Sequence, residues 1–399
     1  MTFKGWFVKP LCPDFAACCA TTMILFRLRR RRLRMLFLYA ISVSLVIAVI
    51  LRMRMKRTQT ADHLNREHKQ PIAEEVVNNV TVPEVHHVVF LKVHKAASST
   101  VMNIFMRFGI SRNLSVMVPK TLNVFSQSTY LHQNQFLHYS PDGLYDILCC
   151  HVVYRKTSIA PYFPADTRYI GIVREPFQQF MSAFFYYKHL SYLKKIPGDN
   201  PVATYLQDPL KFEPDHALSS YTNNRMSFDF GYPYREFNNT PRMHDYVDQL
   251  VSELDFVIVV EYFDESLLML KQLLGWTLKD ILYIPRKYGA RHNTPTFTRE
   301  DRERHKQWAR LDYILYERFL NIFLEKLYQK GKSFYEELKA FKNLRAQMEH
   351  FCTTTKNKVL SVPGSMWNKH FTVSRNDCDL MQMNAVPLIN LVRRRYIVA

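Results

Sequence analysis

The sequence predicts an α/β domain with a central parallel sheet, preceded by one N-terminal transmembrane helix. Three observations carry this. Short unbroken apolar runs rich in Val and Ile recur at Val88–Val93, Ile147–Cys150, Tyr169–Val173 and Phe256–Val260, as strands buried on both faces require. Segments with apolar residues at helical spacing follow several of them, and such alternation implies parallel strands joined by helices. The uncharged run Met35–Leu51 (MLFLYAISVSLVIAVIL) lies within the length range of a membrane span.

The N-terminal part divides by composition. Residues 1–34 read as a cytoplasmic tail, 35–51 as a signal-anchor, 52–85 as a stem and 86–399 as the lumenal domain. A cleaved signal peptide fits less well, because the apolar run starts late, lacks a small-residue cleavage site and is followed by more basic residues. RLRRRRLR before the run and RMRMKR after it favour a cytoplasmic N-terminus by the positive-inside rule. Residues 58–85 are polar and free of aromatics, as a stem would be. The sequons at Asn79, Asn113 and Asn238 suit a secretory lumen. Cys12, Cys18 and Cys19 are compatible with palmitoylation or with inert thiols.

The chain has 399 residues and a net charge of +19. Residues 1–57 hold twelve Lys and Arg and one Asp, so +11 of that charge sits before the domain. The remaining +8 suits an anionic small ligand or membrane surface better than nucleic acid, and no nucleic-acid-binding signature is present. No CxxC pair or HExxH occurs, so no metal site is expected. In an oxidising lumen Cys352 and Cys378 are the natural disulfide pair.

Within the domain, Val88–Gly109 (VVFLKVHKAASSTVMNIFMRFG) predicts a strand, a loop and a helix whose apolar face is Val101, Ile104, Phe105 and Phe108, stopped at Gly109. Ser98, Ser99 and Thr100 stand where the helix begins. Free backbone N–H groups, hydroxyls and the positive helix end would meet there, with Lys95 adding a full charge. The loop departs from the nucleotide-triphosphate pattern, having no Gly and placing its Lys first. No strand ending in a magnesium-holding Asp follows, which disfavours a kinase or ATPase.

A second anion site is predicted where Arg174 ends the strand Tyr169–Val173, Pro176 opens a helix and Ser182 follows. Two anion sites at strand ends suggest a ligand phosphorylated at both ends. Further helices are expected at Glu265–Leu274, stopped by Gly275, and near Leu311–Tyr328, stopped at Gly331. Asp264 is expected to cap a helix and Glu261 to be partly exposed, with sugar binding as the alternative for both. Tyr186 and Tyr187 are expected in the core, with a pyranose platform as the alternative.

The blocks VVFLKVHKAASSTVMNIFMRFG, YIGIVREPFQQFMSAFFYY, NRMSFDFG and LDFVIVVEYFDESLLMLKQLLGWTLKDILY resemble the galactose 3-O-sulfotransferases, Golgi membrane enzymes that include the cerebroside sulfotransferase. The resemblance covers roughly 86–285. It implies a P-loop-like three-layer sulfotransferase fold and the donor PAPS (3′-phosphoadenosine 5′-phosphosulfate). It places Lys95, Ala97, Ser98, Ser99 and Thr100 at the 5′-phosphosulfate, and Arg174 and Ser182 at the 3′-phosphate. Ala96 stands where the family often has Thr, and Pro285–Asn293 departs from the family's usual text.

Sulfonate transfer needs a cation beside the leaving oxygen, for which Lys95 is the candidate. It also needs a base near neutrality, for which His serves. His151, in a His-x-x-Tyr setting similar to the base of related sulfotransferases, is the expected base, with His94 orienting acceptor or donor. The implied acceptor is a terminal galactose on a glycolipid or glycoprotein, with the membrane and a possible second copy of the chain as partners. The alternatives are a uronic-acid 2-O-sulfotransferase of glycosaminoglycans and a catalytically impaired glycan-binding protein of the same fold.

Overall fold

The computed structural model describes residues 82–285 and 296–397. The expected anchor at 35–51, the three N-terminal cysteines, the Asn79 sequon and residues 286–293 lie outside the described residues. Among the described residues no helix is long and apolar enough to cross a membrane.

Five strands form the central sheet of the described residues: β1 (Val88–Phe90), β2 (Val116–Met117), β3 (Ile147–Leu148), β4 (Arg168–Val173) and β5 (Phe256–Val259). Their order is β2-β3-β1-β4-β5, and every neighbouring pair is parallel. The four expected strands are present; three are shorter than expected, and β4 begins one residue earlier, at Arg168. Leu91 still donates its N–H to Ile170 at 2.8 Å, after which the chain leaves the ladder toward the loop. β2 was not expected.

The helices that matter for the site are α1 (Ser98–Ser111), α2 (Pro176–Tyr186), α3 (Arg225–Asp229), α4 (Thr240–Glu253), α5 (Phe263–Leu274), α6 (Arg299–Trp308), α7 (Arg310–Tyr328), α8 (Lys332–Thr353) and α9 (Arg375–Gln382). Side-chain alternation along β4 sorts them into layers. Phe90 is in register with Ile170, and its ring meets Phe105 of α1 at 5.3 Å. Gly171 faces the opposite way, where an added Cβ would come within 3.1 Å of Phe230. Phe230 follows α3 and stacks on Phe319 of α7 at 6.0 Å. The sheet is therefore covered by α1 on one face and by the α3–α7 group on the other, giving three layers.

Gly109 does not stop its helix. α1 runs on to Ser111, and a Cβ at Gly109 would meet Val116 at 2.8 Å and Ile147 at 3.0 Å. The glycine lets α1 lie close on β2 and β3. Gly275, at φ +63°, does end α5 as expected. Gly331 instead precedes α8, because α7 already ends at Tyr328. Cys352 at the end of α8 is bonded to Cys378 of α9, whereas Cys149 and Cys150 are buried free thiols beyond β3. An antiparallel hairpin, β6 (Val359–Val362) and β7 (Phe371–Ser374), lies between the two disulfide cysteines and was not expected.

Candidate active site

The chain segments leaving the C-terminal ends of β3, β1 and β4 meet around a cavity of about 980 Å³. These strands are immediate neighbours, and parallel sheets bind their ligands at such strand ends. His94, Lys95, Ala97, Ser98, Ser99, Thr100, His151, Arg174 and Ser182 all line this one cavity. Lys92, Lys95, Arg174 and Arg302 bring positive charge to the wall, and no Asp or Glu lies among its described lining residues. A wall of this composition attracts anions.

The lysine loop reaches its shape without glycine. Lys95 and Ala97 both adopt left-handed backbone conformations, with φ of 60° and 54°, each a cost of about 1 kcal/mol or more for a residue with a Cβ. The turn starts α1 at the cavity. Ala97 supplies no side-chain cap. The Thr100 N–H turns back to the Ala97 carbonyl at 3.0 Å, and the positive end of the helix dipole stands at the cavity, where an anion would be favoured. The Ser98 hydroxyl donates to the Val93 carbonyl at 2.5 Å. That leaves Ser98 to act through its backbone, with the partly exposed hydroxyls of Ser99 and Thr100 at the wall. Ala96 is fully buried in the core and is not among the cavity-lining residues. The Lys95 ammonium lies 3.6 Å from the ring centre of Tyr186.

α2 is fastened to this loop at two consecutive carbonyls. Arg174 Nη1 donates to the Lys95 carbonyl at 3.0 Å, and the buried Gln179 side chain donates to the His94 carbonyl at 3.0 Å. The helix itself starts at Pro176 because Glu175 caps it, accepting from the N–H groups of Phe177 and Gln178. Gln178, Met181 and Ser182 share the helix face that lines the cavity.

Some neighbouring residues differ from expectation. Tyr186 is exposed and lines the cavity instead of the core, whereas Tyr187 packs against the Phe180–Phe184 cluster as expected while also lining the cavity and stacking on Tyr221 at 3.8 Å. Glu261 is exposed, in line with the expectation, and accepts from the Glu175 N–H at 2.8 Å and from the Tyr316 hydroxyl at 3.1 Å, so it braces the start of α2 without lining the cavity. Asp264 lies inside the first turn of α5 and accepts from the Tyr283 hydroxyl at 2.9 Å, so it neither caps the helix nor faces the cavity.

The two histidines stack, with ring centres 4.0 Å apart. They are held differently. His94 is buried and its Nδ1 lies 2.8 Å from the Asp229 carboxylate, which also accepts the His94 backbone N–H at 2.7 Å. Burial alone would raise the Asp229 pKa, but Arg225 at 2.9 Å and His94 outweigh it and hold the carboxyl below its usual range. The Arg225 guanidinium also approaches Nδ1, at 3.2 and 3.3 Å, but the Asp229 carboxylate is nearer at 2.8 Å. An ionised carboxylate only accepts, so Nδ1 is assigned the proton and Nε2 the lone pair, and Arg225 pairs with Asp229 instead. Among the described residues Nε2 of His94 has no hydrogen-bond partner.

His151 donates from Nδ1 to the Lys92 carbonyl at 2.8 Å, and its Nε2 accepts from the Lys92 ammonium at 3.2 Å. Burial, then His94, Lys92 and Arg225, push its pKa well below the usual value. Burial also lowers that of His94, but there Asp229 pulls upward. Both rings are neutral at pH 7, and His94 has the better-supported lone pair.

Asp229, Arg225 and Lys92 were not singled out from the sequence. Asp229 is 135 residues from His94, and the five-residue α3 is too short to show a period. The only signal was the block NRMSFDFG, which carried resemblance without a role. Among the described residues no group of three His, Cys, Asp or Glu could hold a metal ion.

The family model for galactose-3-O-sulfotransferase matches residues 22–363. The galactosylceramide sulfotransferase of Homo sapiens is 31% identical over 271 residues, covering 67% of this chain and 64% of the relative. Galactose-3-O-sulfotransferase 2 of Mus musculus is 30% identical over 294 residues, covering 69% and 72%. The Sus scrofa protein of the same name is 32% identical over 255 residues, covering 61% and 63%. The chain thus spans a little under two thirds of the length of the human galactosylceramide sulfotransferase it matches.

Proposed function

We propose that this chain, which belongs to the galactose-3-O-sulfotransferase family, transfers a sulfonate group from PAPS to the 3-hydroxyl of a terminal galactose on a glycolipid or glycoprotein. The observation that carries this reading is the single cavity holding both the lysine loop and the Arg174–Ser182 pair. One adenosine donor with phosphate groups at its 5′ and 3′ ends would answer both. The N-terminus of α1 and Lys95 would take the phosphosulfate, and Arg174 with Ser182 the 3′-phosphate.

In the reaction a bond forms between the galactose O3 and sulfur while the bond from sulfur to the bridging phosphate oxygen breaks. The adenosine bisphosphate leaves with that electron pair, and Lys95 neutralises the charge gathering on its oxygen. We assign the departing hydroxyl proton to Nε2 of His94, ahead of the His151 expected from the sequence. Asp229 fixes the His94 tautomer and stabilises the imidazolium, whereas Nε2 of His151 is already engaged by Lys92. His151 then holds the Lys92 ammonium at the cavity wall.

In the same reading the protein is a single-pass type II Golgi membrane protein, with a tail at 1–34, an anchor at 35–51, a stem at 52–85 and a lumenal catalytic domain from 86. The apolar run, the sequons and the Cys352–Cys378 disulfide support it, because disulfides persist in oxidising compartments. The test is incubation of the full-length chain with ³⁵S-labelled PAPS and an acceptor panel, followed by linkage analysis. Label at O3 of lactosyl or galactosyl acceptors is expected. Label confined to heparan-type chains would move the assignment to a uronic-acid transferase, and donor binding with no transfer would leave a glycan-binding protein.

A further inference from the structure

We infer that Asp312 is a positioning residue for proton removal: it clasps the helix that carries Asp229 and so sets that carboxylate against His94. The inference rests on the reading of His94 as proton acceptor.

α3 is only five residues long, so its own hydrogen bonds hold it weakly. Yet it presents two fully enclosed charges, Arg225 and Asp229, to the His94 ring. Its position is therefore set from outside. The start of α7 does this through a reciprocal clasp. Asp312, 2% exposed, accepts from the Ser227 N–H and the Ser227 hydroxyl, both at 2.7 Å, and from the Met226 N–H at 3.2 Å. In return the Asn224 side-chain oxygen accepts from the N–H groups of Leu311 at 2.9 Å and Asp312 at 3.2 Å. Asn224 sits at φ 45°, a left-handed conformation that the clasp holds in place.

Each helix start thus uses its neighbour's side chain to satisfy its first N–H groups. Burial pushes the Asp312 carboxyl up to about 6 against the bonds from Ser227 and Met226, so at pH 7 it is the carboxylate that accepts. Asp312 does not line the cavity. It reaches the chemistry through α3: three donors on Asp312, then one turn of helix, then Asp229, then Nδ1 of His94. Hydrogen bonds to a buried carboxylate are strong and directional. Replacing Asp312 by Asn puts an N–H₂ group where one of the three donors now points, which displaces the start of α3 without emptying the space.

The test is a double-mutant cycle in the full-length chain with Asp312→Asn, Asp229→Asn and the pair, assayed by ³⁵S transfer from PAPS to a galactosyl acceptor. Asp312→Asn should lower kcat about tenfold with both KM values within about twofold, because proton removal and not binding is affected. In the Asp229→Asn background the same change should have no further effect. Ser227→Ala, which deletes one of the three donors, should give a smaller fall in kcat alone and serves if Asp312→Asn does not fold. An Asp312→Asn effect that persists in full beside Asp229→Asn, or that falls on KM, would overturn the inference while leaving the His94 reading intact. An unchanged kcat for Asp229→Asn would bring down the His94 reading and the inference with it.

Discussion

The guanidinium of Arg174 donates to the backbone carbonyl of Lys95 at 3.0 Å, across 79 residues of sequence. That bond joins the two electropositive segments of the cavity into one frame. Both leave neighbouring parallel strands, β1 and β4, whose register pairs Phe90 with Ile170. Both segments line one cavity, and on the proposed reading a single molecule with charge at both ends would span them.

Lys95→Ala should reduce kcat by roughly 100-fold or more, since it removes the cation that meets the leaving oxygen. Lys95→Arg should recover part of that loss. Steady-state transfer of ³⁵S to a galactosyl acceptor measures both, and an intact kcat in the alanine variant would exclude Lys95 from the leaving-group role.

The histidines separate in kinetics. His94→Ala should lower kcat by roughly 100-fold or more, the size of a lost general base, and His151→Ala by less, because it acts through Lys92. Burial lowers the His94 pKa and Asp229 raises it. Asp229→Asn should therefore move the acidic limb of the kcat/KM profile to lower pH while the plateau drops. Loss of activity in His151→Ala with His94→Ala unaffected would return the proton to His151.

His305 gives a pH-dependent stability. Its ring packs among Phe177 and Phe180, and burial pushes its pKa from 6.5 down to about 3. Between those values the unfolded chain binds a proton that the folded protein does not. Its contribution is full above pH 6.5 and is lost as pH falls toward 3, at up to about 1.4 kcal/mol per pH unit. His305→Phe should flatten that part of a denaturation-versus-pH curve, and an unchanged slope would contradict it.

The Cys352–Cys378 bond closes a separation of 26 residues. Replacing both cysteines by Ser should cost about 3 kcal/mol through the freer unfolded chain. Urea denaturation of the double variant, compared with the parent, measures it. No shift in midpoint would show that the bond does not stabilise the fold.

The frame of the site was legible because it rests on local pattern. Val/Ile runs mark buried strands, and Pro176 and the Ser98–Thr100 cluster mark helix starts at strand ends, whereas the Glu175 cap emerged only in the structure. Residue pairs distant in sequence were not legible. Asp229 and Arg225 meet His94 only through tertiary packing, and Asp312 meets Ser227 across 85 residues. β2 is two residues long and leaves no period to read. Gly109 looked like a helix stop, but its missing side chain serves close approach to Val116 and Ile147. Tyr186 lies on an apolar helix, yet its position at the last residue of that helix brings it to the cavity beside Lys95.

Calorimetric titration of the full-length chain with adenosine 3′,5′-bisphosphate and with adenosine 5′-monophosphate, before and after Arg174→Ala, tests the bridged-donor claim most directly. The parent should bind the bisphosphate at least about tenfold more tightly, as a charge-assisted Arg contact allows, and Arg174→Ala should erase that preference. Equal affinity of the parent for both nucleotides would contradict a donor held at both ends.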